Sequence, residues 1–241
     1  MLKYEIIIPA KNELENLKLI LPKIRKKYSC NITLINKSRN VKENFQLSKI
    51  CKNLNIKMLL QKSNGKGNAL KEAVEFSKAD ILVFFDADFS HNVLDIGKII
   101  NIFKKNNKID HVGGSRLLGG SDELFSDTSH LVRLFGSLII NTIINLKFKV
   151  SLTDSNNGLR GIKRKVFQKL NLSSSHTTIE MELIAKSLQY KLNYLEVPTH
   201  EYKRLHGKSK INLFIHSWSY IFFLISIIFY KKYNKKKLFY K

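Results

Sequence analysis

The sequence predicts an α/β fold in which a mostly parallel central sheet is flanked by helices. Two observations support this class. Short β-rich apolar runs alternate with amphipathic segments over the first hundred residues, and the run ILVFF at 81–85 is continuously apolar. Such alternation is typical of βαβ units, and an uninterrupted apolar run is typical of a central parallel strand covered on both faces. With 241 residues and 44% hydrophobic content, the chain is large enough to bury such a core.

The predicted elements follow one another in a regular order. Strands are predicted at YEIIIPA (4–10), NITLIN (31–36), IKMLLQ (56–61), DILVFFDAD (80–88), HVGGSR (111–116) and LNYLEVPTHEY (192–202). Helical patterns lie at 12–27, 41–55, 67–79, 153–170 and 177–190, and the stretch 124–148 is predicted to be a loop followed by an apolar helix. In the first helix, Asn12 is the expected N-cap, because Glu15 follows it at the spacing of a capping box.

The chain is strongly basic. Lysine and arginine total 42 against 19 aspartates and glutamates, which gives a formal charge of +23. This charge favours polyanionic partners such as nucleic acid, anionic lipid headgroups or phosphorylated small molecules. Nucleic acid is the disfavoured alternative, because the sequence carries no recognisable DNA- or RNA-binding motif.

Two acids stand at the end of the most apolar strand. In FFDADFSH (84–91), Asp86 and Asp88 are separated by one residue, so in an extended chain they would face the same side. Parallel sheets bind ligands beyond the carboxyl ends of their strands. Carboxylates this close repel each other unless a cation lies near them, and oxygen ligands suit Mg²⁺ or Mn²⁺. The pair therefore predicts a divalent metal site; solvated loop aspartates are the alternative.

Several motifs around this pair resemble one known family. The stretches are IIIPAKNELENL (6–17), NGKGNAL (64–70), FFDADFSH (84–91), GGSRLLGG (113–120), TDSNNGLRGIKR (153–164), IEMELIAKSLQYKLNYLEVP (179–198) and RLHGKSKI (204–211). In order and spacing they resemble the family 2 glycosyltransferases of GT-A (Rossmann-like) fold, within them the dolichyl-phosphate mannose synthase-like branch that acts on polyprenyl phosphates. The resemblance covers roughly residues 4–210.

The resemblance implies a nucleotide-sugar donor bound across the strand ends, with its diphosphate on Mg²⁺ or Mn²⁺. Asp88 would be the direct metal ligand, and Asp86 would bind ribose or assist the metal through water. The donor-binding residues carried over by position are Pro9, Asn12, Glu13, Asn36, Lys66 and Asp86.

One departure leaves the donor base open. Where the family usually has Asp-Asp-x-Ser after the second strand, this chain has Ile35-Asn36-Lys37-Ser38. Asn36 can still hydrogen-bond a base edge, since its amide both donates and accepts. The charged contact to a ring N–H is lost, so neither the base nor the sugar follows from the sequence.

The acceptor implied by the resemblance is a polyprenyl phosphate, dolichyl or undecaprenyl. Such a phosphate is already ionised near neutral pH, so it can attack without a general base, but it needs cations to hold it. By position, the acceptor-phosphate residues are Arg116, Arg133, Ser137, Lys208 and Ser209. The catalytic group would be Asp88, Arg116 and Arg204, acting in a single displacement that inverts the anomeric centre of a hexose.

Two alternatives remain for the activity. A glycosyltransferase acting on a saccharide or protein hydroxyl would need a catalytic base, and no matching Glu-Asp motif stands in the acceptor region. A catalytically inactive, membrane-bound family member is the other alternative, because the Asp-Asp pair is missing.

The carboxyl-terminal end changes in character. We expect a catalytic domain at 1–205, and at 206–241 a phosphate-binding loop followed by an apolar, basic tail. The tail is mostly apolar from Ile221 to Tyr230, and six lysines follow it. We expect it to attach to an anionic membrane surface on the cytoplasmic side, as a peripheral, monotopic or single short transmembrane anchor. The helix at 134–149 is either membrane-facing or a core helix, and a membrane partner subunit or an oligomer is compatible with this arrangement.

Overall fold

The structure, a computed structural model, describes residues 2–123, 128–206 and 213–231. The strands are β1 (Tyr4–Ala10), β2 (Asn31–Asn36), β3 (Lys57–Leu60), β4 (Ile81–Phe84), β5 (His111–Ser115), β6 (Arg160–Lys163) and β7 (Tyr194–Pro198). The helices are α1 (Leu14–Lys27), α2 (Val41–Asn53), α3 (Lys66–Phe76), α4 (Val93–Lys105), α5 (Arg116–Gly119), α6 (Thr128–Phe148), α7 (Arg164–Lys169), α8 (Ile179–Gln189) and α9 (Leu213–Ile228).

The strands form one sheet in the order β3-β2-β1-β4-β6-β5-β7. β1 pairs in parallel with β2 and β4, β2 with β3, and β5 with β7. β6 is antiparallel to both of its neighbours, β4 and β5. The predicted α/β class with a mostly parallel sheet is therefore confirmed, and β4 lies at its centre.

Helices cover both faces of the sheet because side chains alternate along its strands. On β1, Ile6 and Ile8 pack in one cluster with apolar residues of α1, α2 and α4. Ile7 packs in a second cluster, on the other face, with residues of α3, α7 and α8. Burial on both faces explains why β1 and β4 lack the apolar–polar alternation of a half-exposed strand.

Three sequence predictions differ from the structure. The pattern at 153–170 predicts a helix, but Arg160–Lys163 is a strand and the helix begins only at Arg164. The capping box is wrong: α1 begins at Leu14, and Asn12 instead adopts φ 53° in the preceding turn. β4 ends at Phe84, so Asp86 and Asp88 lie in the turn beyond it rather than in extended chain.

A third apolar cluster joins the carboxyl-terminal helix to the domain. Ile144 of α6, Ile184 of α8 and Ile227 of α9 are all fully buried within it. Within α6, the stretch Leu131–Phe148 is long and apolar enough to cross a membrane, with a mean hydropathy of 1.4 and 28% of it buried. The apolar part of α9, Trp218–Ile228, is shorter. The domain boundary predicted at 205/206 is not tested and stays a prediction.

Candidate functional site

The residues singled out by sequence gather at one edge of the sheet. Asp86 and Asp88 follow β4, Glu13 follows β1, Lys66 follows β3, and Arg116 follows β5. These strands all run in the same direction, so their carboxyl ends meet at the same edge. This is the position at which open α/β sheets bind ligands.

The turn after β4 orients the second acid of the pair. The backbone N–H and the hydroxyl of Ser90 both donate to Oδ1 of Asp88, at 3.1 and 2.6 Å. Phe89, between them, has φ 70°, which tightens the turn. The side chain of Asp88 is 17% exposed, and with Oδ1 engaged by Ser90 its Oδ2 is the oxygen available to other cations.

Lys66 lies between two carboxylates. Its ammonium is 2.5 Å from Oδ1 of Asp86 and 2.5 Å from Oε1 of Glu180. Burial works to lower the pKa of Lys66, but the two acids outweigh it and raise that pKa. Burial likewise works to raise the pKa of Asp86, and Lys66 outweighs it, so Asp86 is ionised at neutral pH. The phosphate contact predicted for Lys66 stays a prediction.

Two residues that the sequence reasoning did not assign to the site lie against Asp86. His91 is buried, with Nε2 3.6 Å from Oδ2 of Asp86. Burial works to lower the pKa of His91, but the neighbouring Asp86 raises it. Gly158 leads into β6, and a Cβ there would overlap Oδ2 of Asp86 and lie 2.8 Å from Nζ of Lys66. Both stand inside motifs quoted above, but only the fold shows what they contact.

The segment after β7 passes over the turn that holds Asp88. We name residues 199–206 the strap. The backbone N–H of Tyr202 donates to the carbonyl of Ser90 at 2.8 Å, and Nδ2 of Asn16 donates to the carbonyl of His206 at 3.2 Å. These bonds hold the strap against the β1–α1 and β4–α4 turns.

Arg204 of the strap reaches the predicted metal ligand. Its NH2 is 2.6 Å from Oδ2 of Asp88, and its NH1 is 3.5 Å from Oε1 of Glu13. Nδ2 of Asn16 donates to the other oxygen of Glu13 at 2.7 Å. Arg204 therefore contacts both Asp88 and Glu13, and all three residues are predicted to act on the donor.

Arg116 forms a separate network of ion pairs. Its Nε and NH2 donate to Asp154 at 2.7 and 3.0 Å, and its NH1 donates to Glu201 at 3.1 Å. Burial works to lower the pKa of Arg116, and Asp154 outweighs it, so that pKa is raised. The guanidinium thus faces two acids in this structure, and phosphate binding by Arg116 would require it to share or exchange them.

The other residues predicted to bind the acceptor phosphate lie either on α6 or outside the part of the chain that the structure describes. Arg133 is half-buried, and its Nε is buried without a hydrogen-bond partner in the part of the chain that is described. One turn later, the hydroxyl of Ser137 accepts from Nδ2 of Asn156 at 3.4 Å. Lys208 and Ser209 lie outside the described residues.

The predicted nucleobase region is closely packed. Asn36 ends β2, is 1% exposed, and donates through Nδ2 to Oδ1 of Asn44 at 2.9 Å. Nζ of Lys37 donates to the carbonyls of Gln61 and Lys62, at 3.2 and 2.7 Å. Pro9 lies within β1, half-buried. A base contact by Asn36 would thus need some opening of this region.

The two aspartates fit a divalent cation whose remaining ligands come from the substrate. Their side chains are 22% and 17% exposed, so both are accessible, and carboxylate oxygen is the ligand that Mg²⁺ and Mn²⁺ prefer. Across 2–123, 128–206 and 213–231, no group of three or more His, Cys, Asp or Glu side chains is placed to hold a metal. Asp86 and Asp88 would thus contribute one or two ligands, which is how Mg²⁺ bound to substrate phosphates is usually held.

Glu182 stabilises the loop at 173–176, which packs against the start of α3, the helix that begins at Lys66. Its carboxylate is 1% exposed and accepts from the backbone N–H groups of Ser173 and Ser174 and from Lys186. The backbone of 174–176 lies directly against Gly65 and Gly67, where a Cβ would overlap carbonyl oxygens of that loop. Fixing this loop therefore fixes the start of α3, from which Lys66 extends.

Replacing Glu182 with glutamine is expected to lower the free energy of unfolding by about 1–3 kcal/mol at pH 7. Burial works to raise the pKa of Glu182, but its donors outweigh it and lower that pKa to about 2. The contribution is therefore full above the unfolded-state pKa of roughly 4.3 and is lost as the pH falls towards 2. Denaturant unfolding should show a smaller difference at pH 3 than at pH 7. Glu15→Gln, at an exposed pair with Lys18, is the control and should change little.

The comparison with known families shows which family the chain belongs to. The model of "Glycosyl transferase family 2" matches residues 5–170, more than half of the chain. The chain belongs to glycosyl transferase family 2. The predicted family is confirmed, and the match includes Asp86, Asp88 and Gly158.

Curated relatives of this family 2 glycosyltransferase come from archaea. The UDP-N-acetylglucosamine–dolichyl-phosphate N-acetylglucosaminyltransferase of Methanococcus voltae is 34% identical over 146 residues, 57% of this chain and 55% of the relative. The hexosyltransferase Agl6 of Haloferax volcanii, named for low-salt glycan biosynthesis, is 23% identical over 67% of this chain and 38% of its own length. Glycosyltransferase AglJ of the same organism is 25% identical over 84% and 64%. The chain thus spans about two fifths to two thirds of these relatives.

Solved structures confirm the GT-A fold of this family 2 glycosyltransferase. Glucosyl-3-phosphoglycerate synthase from Mycobacterium tuberculosis, in complex with Mn²⁺, UDP and glucosyl-3-phosphoglycerate, superposes with a TM-score of 0.72 at 14% identity, covering 94% of this chain and 80% of that one. The same enzyme with Mg²⁺ and UDP gives 0.72 at 14% identity, with 94% and 79% covered.

Proposed function

We propose that this family 2 glycosyltransferase transfers a hexose or N-acetylhexosamine from a nucleoside diphosphate sugar to a polyprenyl phosphate at a membrane, with inversion. The observation that carries the proposal is the contact of Asp88 with Arg204 at the end of β4, 2.6 Å apart and partly exposed. The contact brings together a carboxylate, which is a metal-ligand type, and a guanidinium, which is a diphosphate-binding type, at one edge of the sheet. The Methanococcus voltae relative, whose name specifies a dolichyl-phosphate acceptor, supports the acceptor class.

On the donor side, the chain supplies an oriented carboxylate and a guanidinium. Ser90 engages Oδ1 and so fixes the rotation of the Asp88 carboxylate, with Oδ2 turned towards Arg204. Mg²⁺ or Mn²⁺ held by Asp86 and Asp88 would offset the charge that develops on the departing diphosphate. Arg204 lies beside Asp88 and offers planar N–H donors, which match phosphate oxygens in pairs. The donor site is thus arranged to stabilise a leaving group rather than to deprotonate an acceptor.

On the acceptor side, α6 presents charge and apolar surface together. Arg133 and Ser137 lie one turn apart on this helix. Around them, large apolar side chains are more than one third exposed: Leu131, Val132, Phe135, Leu138 and Ile139. An ionised phosphate on an apolar chain needs both features, and it can attack the anomeric carbon without a general base. A saccharide hydroxyl would need a base and would gain little from the apolar surface.

The exposed apolar surface also supports the proposed membrane association. On α9, the exposed large apolar residues are Trp218, Ile221, Phe222, Ile225 and Ile228. α9 packs on α6 through Ile227, so the two helices belong to one apolar region. The formal charge of +23 favours an anionic lipid surface. The cytoplasmic face is proposed because soluble nucleotide sugars and this basic tail would meet there.

The test incubates the full chain with membranes containing polyprenyl phosphate and a panel of radiolabelled nucleotide sugars. Label is expected in an organic-extractable, mild-acid-labile lipid, and EDTA should abolish it until Mg²⁺ or Mn²⁺ is restored. Label found only in water-soluble glycan or protein would instead support transfer to a hydroxyl. No turnover or donor hydrolysis with any nucleotide sugar would support a catalytically inactive family member.

A further inference from the structure

Each acid of the aspartate pair already has a cation of the protein itself. Asp86 contacts Lys66 at 2.5 Å, and Asp88 contacts Arg204 at 2.6 Å. Lys66 is also held by Glu180, whose side chain is 8% exposed, so this cation is fixed from two sides. Arg204 is about as exposed as Lys66, at 22% against 21% of the side chain, but its second acid, Glu13, is farther away at 3.5 Å. Arg204 is therefore the cation that can be exchanged.

A bare divalent cation gains little by entering this site. To use Oδ2 of Asp88, it must separate the ion pair with Arg204, and among the described residues this leaves the guanidinium with the longer contact to Glu13. Breaking a partly buried pair by taking away one partner costs more than the pair contributes, because a charge is left uncompensated. A cation that arrives with a diphosphate avoids this cost, since the diphosphate is a new anionic partner for Arg204.

The strap is built so that the Arg204 side chain can move while its backbone stays. The backbone N–H of Arg204 donates to Oε1 of Glu123 at 3.0 Å, and that of Tyr202 donates to the carbonyl of Ser90 at 2.8 Å. Glu201 forms β-bridges with His91 and Ser121. These contacts do not involve the guanidinium, so its exchange between Asp88 and a diphosphate needs only rotations of a flexible side chain.

We propose that Arg204 makes the carboxylate site selective for a divalent cation that arrives with a nucleoside diphosphate, over the free cation. In the absence of donor, the guanidinium of Arg204 pairs with the carboxylate of Asp88. When the cation and the nucleoside diphosphate bind together, the guanidinium pairs with the diphosphate instead. The inference rests on the proposed function, because the diphosphate it requires is that of the donor. It adds that Arg204 and the metal compete for Asp88. Arg204 therefore weakens the binding of the free cation and strengthens the binding of the cation that comes with a nucleotide.

The test is Mn²⁺ binding to the full chain in detergent, followed by the electron paramagnetic resonance signal of free Mn²⁺, with and without UDP or GDP. In Arg204→Gln, the affinity for Mn²⁺ alone should rise about fivefold, because the competing cation is gone. With nucleotide present, the affinity should fall about tenfold, because a charge-assisted contact to the diphosphate is lost. Arg164→Gln removes the same charge beside the start of β4, at the other end of the sheet, and should change neither value.

The outcomes separate the inference from the proposed function. If Arg204→Gln leaves the affinity for Mn²⁺ alone unchanged or lowers it, while the unsubstituted protein binds Mn²⁺ with nucleotide, the inference is wrong and the function stands. If the unsubstituted protein shows no nucleotide-dependent Mn²⁺ binding, the donor assignment fails, and the inference fails with it. Circular dichroism and thermal unfolding of the variants show whether each is folded, and Arg204→Lys, which keeps the charge, should retain most of the discrimination.

Discussion

Replacing Asp88 with asparagine is expected to reduce sugar transfer by roughly 100-fold or more, because a bound metal contributes several kcal/mol of charge stabilisation to a departing diphosphate. Asparagine keeps the shape of the side chain and can still accept from Ser90, which donates to Oδ1 of Asp88 at 2.6 Å. The loss should therefore come from the missing charge at Oδ2 and not from misfolding. Transfer of labelled sugar to lipid and binding of Mn²⁺ with nucleotide measure the effect.

The matched control for this change lies beyond the other end of the same strand, β4. Asp80 precedes β4 at its other end and is exposed, and its carboxylate accepts from the backbone N–H of Lys3 at 2.9 Å. Asp80→Asn should transfer sugar at the unsubstituted rate. Full transfer by a folded Asp88→Asn protein would show that the metal ligand lies elsewhere.

Replacing Gly158 with alanine is expected to disrupt the donor site nearly as strongly. The new methyl group would overlap Oδ2 of Asp86 and lie 2.8 Å from Nζ of Lys66, so one of these charged groups must move. Overpacking of this kind costs about 1–3 kcal/mol of stability. Displacement of a ligand by about an ångström can reduce activity roughly 100-fold. Binding of Mn²⁺ with UDP or GDP, measured beside thermal unfolding, separates the two effects.

Gly136→Ala is the control for adding a methyl group to a glycine. Gly136 lies in the middle of α6, and in the described part of the chain no atom outside the adjoining helix backbone comes within 4 Å of a Cβ there. Alanine there should leave nucleotide-dependent Mn²⁺ binding unchanged and should stabilise the helix by up to about 1 kcal/mol. Unchanged Mn²⁺ binding in Gly158→Ala would mean that Asp86 and Lys66 can move without consequence for the donor.

The central half of the sheet could be predicted because its strands are dense in apolar residues. β1 and β4 are predicted as strands because both of their faces are buried, which makes most of their residues apolar. Each also leads into one of the family motifs, at 6–17 and 84–91. β6 was missed because RGIK is short and half polar. Its Arg160 is fully buried, with Nε donating to the carbonyl of Asn157 at 3.0 Å and NH1 to that of Glu180 at 3.0 Å. No local pattern indicates that an arginine belongs in a core.

The site was predicted as a set of residues but not as a set of contacts. Motif order places Asp86, Asp88 and Arg204 at the strand ends, and the structure brings them there. Lys66 lies between Asp86 and Glu180, and the contact with Glu180 joins two residues that are 114 positions apart along the chain. Gly158 lies against Asp86 because β6 pairs antiparallel with β4 in a register that places Arg160 opposite Phe84. Pairings of this range are set by the tertiary fold and leave no signal in a single sequence.

The antiparallel strand also bears on how the chain is made. β5 pairs only with β6 and β7 among the described strands, and both are translated after it. Residues 4–84 can assemble their four parallel strands while still leaving the ribosome, whereas residues 111–115 must wait until about residue 163 has emerged. During that interval the nascent polypeptide exposes two open strand edges, which are prone to pairing with other chains. A chaperone that shields this intermediate should raise the soluble yield.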